Sequence, residues 1–533
     1  MTRFKPAALM LATTLLAGAA APAQQADVVI TGGTIYDGGT GKPFIGDVAI
    51  KGERILYVGP HSPLRAAQTV DAKGMIVSPG LIDAHSHPDT YILSPDPAVR
   101  VNAPWTRQGV STILVGVDGY GTPDIATYAA QRSKAGVGTN LVPMIGFGAV
   151  RQRVLGQDAR APDAEELGRM KALVAKGMCE GAVGLSTGLF YPPQSFAKTE
   201  EVIAVAREAA IRGGLYDTHQ RDESSYTIGL KGSVQEVLRI GREAGMPVHF
   251  AHIKALGVDV QGQAPEIIAM IEAARKAGQD VTADQYPWLA SGSSLEASLL
   301  PGWSVDGGPK KMLERFADAP TMARIRADMV KNMRRRGGPA KMLLISAGFD
   351  WTGKTLEQMA TAWRLDPLDA ALKIITQDAR SDDKHYGGAI ASFNMIDADV
   401  DLFMKQPWVV TSSDGSDGHP RQFATFAEKY ALYVQKRHVI DLATFIRQST
   451  GRTADIYRLD HRGYLRAGYY ADVAVIDPAH YAPRADYVHP RELSVGVRQL
   501  YVNGRLTVDS DTNTGILAGR VLLRPAPKAC PAH

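Results

Sequence analysis

Between about residues 76 and 455 the chain repeats one texture: a short apolar run, a polar residue closing it, then a stretch of helical period. The runs include "GVSTILVG" (Gly109 to Gly116), "GAVGLST" (Gly181 to Thr187), "GGLYDTH" (Gly213 to His219), "MPVHFAHI" (Met246 to Ile253), "QDVTADQYPW" (Gln279 to Trp288) and "PWVVTSSDG" (Pro407 to Gly415). Between them, "TEEVIAVAREAAIRG" (Thr199 to Gly213) and "APEIIAMIEAARKAG" (Ala264 to Gly278) place apolar residues three and four apart, as one face of a helix requires. Strands alternating with helices predict a parallel sheet, and so many units favour a closed α/β architecture, the (β/α)8 TIM-type barrel, over an open doubly wound sheet. No glycine fingerprint for a dinucleotide follows an early strand.

The two ends of the chain read differently. "ADVVITGGTIYDGGTGKPFIGDVAIKGERILYVGP" (Ala26 to Pro60), "GYLRAGYYADVAVID" (Gly463 to Asp477) and "VRQLYVNGRLTV" (Val497 to Val508) alternate β-branched runs with glycine turns. They predict a small discontinuous β-sandwich domain over residues 26–75 and 456–533, around a barrel over 76–455. From about 300 to 383 the chain offers no ligand candidate and is rich in helix formers, and "KKMLERFADAPTMARIRADMVKNMRRR" (Lys310 to Arg336) predicts a helical cover over the barrel mouth. Arg334 to Arg336 read as its solvated end.

With 533 residues and 45% hydrophobic content the chain can bury a large core, which excludes a disordered or fibrous protein. The 59 basic against 55 acidic residues leave a net charge of +4 without a long basic block, so nucleic acid is not an expected partner. Arg3 and Lys5 precede an apolar run from Ala7 to Ala20, and small residues follow at Ala21 to Ala23. This predicts a signal peptide over residues 1–23 and a periplasmic or secreted protein. No later segment is long and apolar enough for a membrane span. The only cysteines, Cys179 and Cys530, leave one disulfide open and exclude a four-cysteine metal site.

The candidate chemistry sits where the apolar runs end: His85 and His87 in "LIDAHSHPDT", Asp118, His219, His252 and Asp414. Side chains two apart in extended chain share a face, so His85 and His87 point the same way. In a barrel the carboxyl ends of the strands converge on one rim, where such residues meet. Singly, Asp118 and Asp414 fit turn residues and His219 a core histidine; jointly, the six fit a site for one or two divalent ions. Imidazole and carboxylate donors favour zinc, which would acidify a bound water to a pKa of about 7 for hydrolysis. Asp414 is the candidate general acid/base. His249, on the other face of its strand, and Asp83 read as structural, and Asp89 as a partner orienting an imidazole.

The motifs "SPGLIDAHSHPD" (Ser78 to Asp89), "GAVGLSTGLFYPP" (Gly181 to Pro193), "THQRDES" (Thr218 to Ser224), "HIKALG" (His252 to Gly257), "DQYPW" (Asp284 to Trp288), "SSDGSDGHPRQFATF" (Ser412 to Phe426) and "TGILAGRVLLR" (Thr514 to Arg524) span nearly the whole chain. On these residues the sequence resembles the amidohydrolase superfamily, and within it the N-acyl-D-amino-acid deacylases, or D-aminoacylases. The resemblance implies metal-dependent hydrolysis of N-acyl-D-amino acids, or of related D-residue amides and short peptides. It implies His85 and His87 as ligands of one metal position and His219 and His252 of the other. Asp414 would be the proton carrier. Lys254, Tyr286 and Arg421 would hold the substrate carboxylate, with Phe190 and Tyr191 as pocket walls. Where that family commonly has a metal-binding cysteine in "GNCG", this chain reads "GVDGYG", with Asp118 in the cysteine's place. The alternatives are a dipeptidase or cyclic amidase on the same barrel, whose relatives usually carry a carboxylated lysine that has no counterpart at a strand end here, and a non-catalytic metal- or ligand-binding protein.

Overall fold

In the computed structural model, residues 1–2, 25–381 and 387–530 are described. The stretch read as a signal peptide lies almost wholly outside them. Eight parallel strand positions make up the barrel: β1 (Leu81–Asp83), β2 (Val110–Val115), β3 (Asn140–Pro143, resuming at Ile145–Gly146), β4 (Gly184–Gly188), β5 (Leu215–His219), β6 (Val248–Phe250), β7 (Val281–Gln285) and β8 (Val409–Thr411). β1 pairs with β2 and β2 with β3, and the order then runs from β3 through β4, β5, β6 and β7 to β8. Two contacts close the ring: Ala84 N donates to Thr411 O at 3.3 Å, and Ser86 bridges Gly415 in parallel register. The strands are almost entirely buried on both faces, which is why they read as continuous apolar runs.

Helices cover the outside. Ala164–Cys179 begins with a capping box, in which Asp163 accepts from Glu166 N at 2.8 Å and Glu166 accepts from Asp163 N at 2.9 Å. The apolar faces of this helix, Thr199–Ala210, Gly229–Ala244 and Ala264–Lys276 pack with the inner strands into one core. Such a core contributes roughly 25 cal/mol for each Å² of apolar surface removed from water.

Both chain ends contribute to one nine-stranded sheet, in which Ile76–Pro79 joins the strand Gln25–Ile35 to Val473–Ile476. The insert between β7 and β8 differs from the all-helical cover read in the sequence. Its helices Gly308–Ala317, Ala319–Arg335, Leu356–Trp363 and Pro367–Arg380 pack around a core of their own. A three-stranded antiparallel sheet, Ala290–Ser294, Met342–Leu344 and Ala389–Phe393, fixes the insert to the rim. Its strands are only three to five residues long, and Ala290–Ser294 and Ala389–Phe393 are rich in serine and alanine, so they give little alternating signal. No helix of the described residues is long and apolar enough to cross a membrane.

Candidate active site

The barrel closure that completes the fold also assembles the site. Asp83 accepts from Ser413 N (2.8 Å) and Trp105 Nε1 (2.7 Å), tying β1 to β8, while Asp414 N donates to His85 O (2.8 Å) and His87 N to Gly415 O (3.0 Å). These bonds set His85, His87 and Asp414 side by side. His252 is fixed by its N–H donating to Asp284 Oδ1 at 2.8 Å. Asp118 is held by Gln194, whose Nε2 donates to Asp118 O at 2.9 Å, while Gly119 N donates to Ser186 Oγ at 3.0 Å. A Cβ at Gly119 would lie 2.0 Å from Gln194 Oε1, so glycine is required there. Asp118, His252 and Asp414 all take left-handed backbone, with φ of 53°, 34° and 46°. Such conformations cost on the order of 1–3 kcal/mol each in non-glycine residues and collect at functional sites.

Asp118 lies at the centre. Its carboxylate oxygens stand 3.3 Å from His85 Nε2, 3.5 Å from His87 Nε2, 3.7 Å from His252 Nε2 and 4.0 Å from His219 Nδ1. Asp414 Oδ1 is 3.3 Å from His87 Nε2 and 3.9 Å from His85 Nε2. His219 Nδ1 faces His252 Nε2 at 3.0 Å. Burial works against charge on His87, but the flanking Asp118 and Asp414 carboxylates outweigh it and push its pKa up to about 10. Burial dominates at His219 and pulls it down to about 4. Burial opposes ionisation of Asp118 and Asp414, yet the surrounding histidines, and for Asp414 first of all Arg421, hold both well below the usual carboxylate range.

Two buried histidine sets in one barrel show why a metal fits here. His249, one layer deeper, has both ring nitrogens satisfied, by Thr282 Oγ1 at 2.7 Å and Asp284 Oδ2 at 3.0 Å. Although Asp217, His249 and Asp284 also lie close together, this hydrogen bonding fits the structural role its strand face implied. Neither ring nitrogen of His85 has a hydrogen-bond partner, nor does Asp118 Oδ1, although the two groups are within ion-pair distance. Buried polar atoms left unpaired are expensive. Donors that crowd together and leave His85 and Asp118 Oδ1 unpartnered suit a cation between them. His85, Asp118, His252 and Asp414 form one such group and His219, Glu223 and His252 a second.

The cluster opens into a cavity of about 340 Å³ lined by Phe190, Tyr191, Lys254, Tyr286, Arg421 and Arg336 among others. Every substrate-contacting candidate of the sequence therefore reaches the same space. Lys254 Nζ donates to Glu223 Oε1 at 2.7 Å and meets His252 Nδ1 at 2.6 Å. Arg421 Nη1 is 2.7 Å from Asp414 Oδ2 and its Cζ lies 5.0 Å from the Tyr286 ring centroid. The buried Tyr286 hydroxyl has no partner and is free for a ligand. Glu223 and Gln194 were not singled out in the sequence; Glu223 lies in the loop four residues beyond His219, and Gln194 opens the short 3-10 helix Gln194–Phe196. Asp89 is exposed and its side chain meets no imidazole, so the orienting role read for it does not hold.

The amidohydrolase family pattern matches residues 68–508. The chain belongs to the amidohydrolase family. Within it, a D-aminoacylase of Alcaligenes xylosoxydans xylosoxydans is 31% identical, over 94% of this chain and 99% of that one. An N-acyl-D-aspartate deacylase of the same organism is 30% identical, over 94% and 96%. A D-aminoacylase structure described by its binuclear metal centre superposes with a TM-score of 0.78 at 30% identity, covering 94% of this chain and all of that one. An N-acyl-D-glutamate deacylase of Bordetella bronchiseptica, complexed with zinc and a phosphonate mimic of the tetrahedral intermediate, gives a TM-score of 0.79 at 26% identity, with 94% and 100% coverage. This amidohydrolase is thus a metal-dependent hydrolase of linear amides on a TIM-type barrel.

Proposed function

We infer that this amidohydrolase cleaves the amide bond of N-acyl-D-amino acids, releasing a carboxylate and a D-amino acid. The observation that carries the reading is a single cavity with a histidine–aspartate cluster on one wall and Lys254, Arg421 and the unpartnered Tyr286 hydroxyl on the other. Two cations and a phenol suit the α-carboxylate of an acylated amino acid. The names of the relatives supply the D configuration.

His85, His87, Asp118, His219 and His252 would hold one or two divalent ions, with Asp414 adjoining, and bound zinc would supply an acidified water and a polarised carbonyl. Asp118 stands close to all four imidazoles, which suits a ligand shared between positions. As a harder donor than the cysteine usual in the family, it broadens the ions accepted beyond zinc. Asp414 begins as a carboxylate, because Arg421 and the histidines stabilise its charge. Its Oδ1, facing the cluster, takes the proton of the attacking water and delivers it to the departing amide nitrogen. Oδ2 stays against Arg421, which keeps the carboxylate aimed. Phe190 and Tyr191, packed edge-on at 5.2 Å and both close to the His219 ring, exclude water from the acyl side.

Assay of matched N-acetyl-D- and N-acetyl-L-amino acids on metal-loaded enzyme tests the reading. D-selective release of acetate is expected; turnover of L substrates alone overturns it. We place the mature enzyme in the periplasm or outside the cell, supported by the basic and apolar N-terminal run and by a Cys179–Cys530 disulfide, which suits an oxidising compartment. Fractionation of expressing cells checks this, and an uncleaved cytoplasmic chain contradicts it.

A further inference from the structure

Of the three cations lining the cavity, one has no anion facing it. Arg421 pairs with Asp414 and Lys254 with Glu223, while the Asp417 carboxylate at the rim is taken by Arg491 through two contacts of 2.9 Å. Arg336 lines the same cavity, is 2% exposed, and has no carboxylate within 4.0 Å among the described residues. Its hydrogen bonds go to neutral hydroxyls: Nε donates to Tyr226 Oη at 2.6 Å and Nη1 to Ser291 Oγ at 3.3 Å. Its sequence neighbours behave as a helix end should, with Arg334 exposed and paired to Asp259 at 2.7 Å. Arg336 instead caps the helix Ala319–Arg335 and turns inward. A buried guanidinium without a counter-charge is costly, and its planar fork matches a carboxylate.

The strand Ala290–Ser294 keeps this group apart from the other cations. Ser291 receives Arg336, and Gly292 makes room for Arg421, whose Nη2 lies 2.5 Å from where a Cβ would stand. Tyr226, which holds Arg336, packs on Phe190 with ring centroids 5.3 Å apart. The cavity therefore has two cationic positions, one at Tyr286 and one at Tyr226.

We propose that the substrate carries two carboxylates, and that Arg336 binds the second. This rests on the deacylase reading above. The second carboxylate belongs either to the amino-acid side chain, as in N-acetyl-D-glutamate and N-acetyl-D-aspartate, or to the acyl group, as in N-succinyl-D-alanine. Steady-state kinetics on these three and on N-acetyl-D-methionine separates the sources. At least one dianion is expected to exceed N-acetyl-D-methionine in kcat/KM. Arg336→Met should lower that value about 10–100-fold, mainly through KM, as for loss of a hydrogen bond to a charged group. Its activity on N-acetyl-D-methionine should stay within about threefold.

If wild type prefers N-acetyl-D-methionine to every dianion, or if Arg336→Met weakens all substrates alike, the proposal is overturned while the deacylase reading stands. If none of the four is hydrolysed, the deacylase reading itself has failed and the proposal falls with it. Inhibition of the wild-type enzyme needs no variant: D-glutamate or succinate should bind about tenfold or more tightly than D-glutamine and butyrate, the smaller end of the same range. Equal inhibition by diacid and neutral counterpart overturns the proposal.

Discussion

The two rims of the barrel belong to the same eight strands but are finished by opposite chemistry. At the carboxyl rim, buried imidazoles and carboxylates crowd together, three of them on left-handed backbone, with unpaired ring nitrogens at His85. At the amino rim the C-terminal tail is laid across the strand starts by backbone bonds: Gly519 N to Val137 O (2.8 Å), Leu522 N to Leu141 O (2.8 Å) and Arg524 N to Gly181 O (2.9 Å). Arg524 Nη1 adds a bond to Gly213 O at 2.8 Å, and the Cys179–Cys530 disulfide fastens the end of the tail across a separation of 351 residues. One rim holds unsatisfied imidazole nitrogens for chemistry, and the other is tied together by backbone bonds and a disulfide. Changes at the two rims should therefore separate activity from stability.

The largest expected effect is at the carboxyl rim. Asp414→Asn should lower kcat about 10²–10⁴-fold by removing the proton carrier, with the thermal midpoint unchanged or raised; wild-type turnover by this variant would take the proton-carrying role from Asp414. The amino rim should answer in the opposite sense. Cys179→Ser with Cys530→Ser should cost about 2–4 kcal/mol in denaturant unfolding and leave kcat intact. A matching loss of kcat would mean that the rims are coupled.

Asp118 tests whether the central carboxylate binds metal. Asp118→Asn should weaken metal binding by at least about 10–100-fold, the usual cost of losing even an outer partner of a ligand, measured by titration against a competing chelator. Retained affinity would put the metal on histidines alone. The smallest effect lies in the wall between the rims. Lys429 is fully buried, bonded to Thr411 Oγ1 (2.8 Å) at the end of β8 and to Gln448 Oε1 (2.9 Å), and burial lowers its pKa to about 7. Between pH 7 and 8 the unfolded chain keeps a proton at Lys429 that the fold has lost, so this residue should add at most about 1.4 kcal/mol to the unfolding free energy. Well below pH 7 both states are protonated there and its contribution vanishes. Lys429→Met should lower the change in unfolding free energy from pH 7 to 8 by that amount relative to wild type; an unchanged difference would leave Lys429 no part in it.

Much of this was legible beforehand. The alternation of apolar runs and amphipathic helices gave the barrel, because a strand buried on both faces must be apolar throughout, and a polar residue ending such a run stands at the rim. His85, His87, Asp118, His219, His252 and Asp414 were found that way. Glu223 and Gln194 were not, since the loop after β5 and the short 3-10 helix Gln194–Phe196 follow no periodicity that encodes their course. The insert misled in two ways: its short serine-rich strands were invisible, and Arg334 to Arg336 looked like one solvated cluster although Arg336 is buried.

By itself, then, the sequence determined the local order: which segments are strands, which are helices, and which polar side chains end up on the catalytic rim. Those properties follow from periodicity and from the fixed direction of side chains along each element. Only the tertiary structure decided that Asp118 stands among four imidazoles, that His249 is satisfied while His85 is not, and that Arg336 turns inward to a cavity without a counter-charge. Each of these is set by contacts between segments distant along the chain. A charged side chain is soluble or buried according to what packs over it.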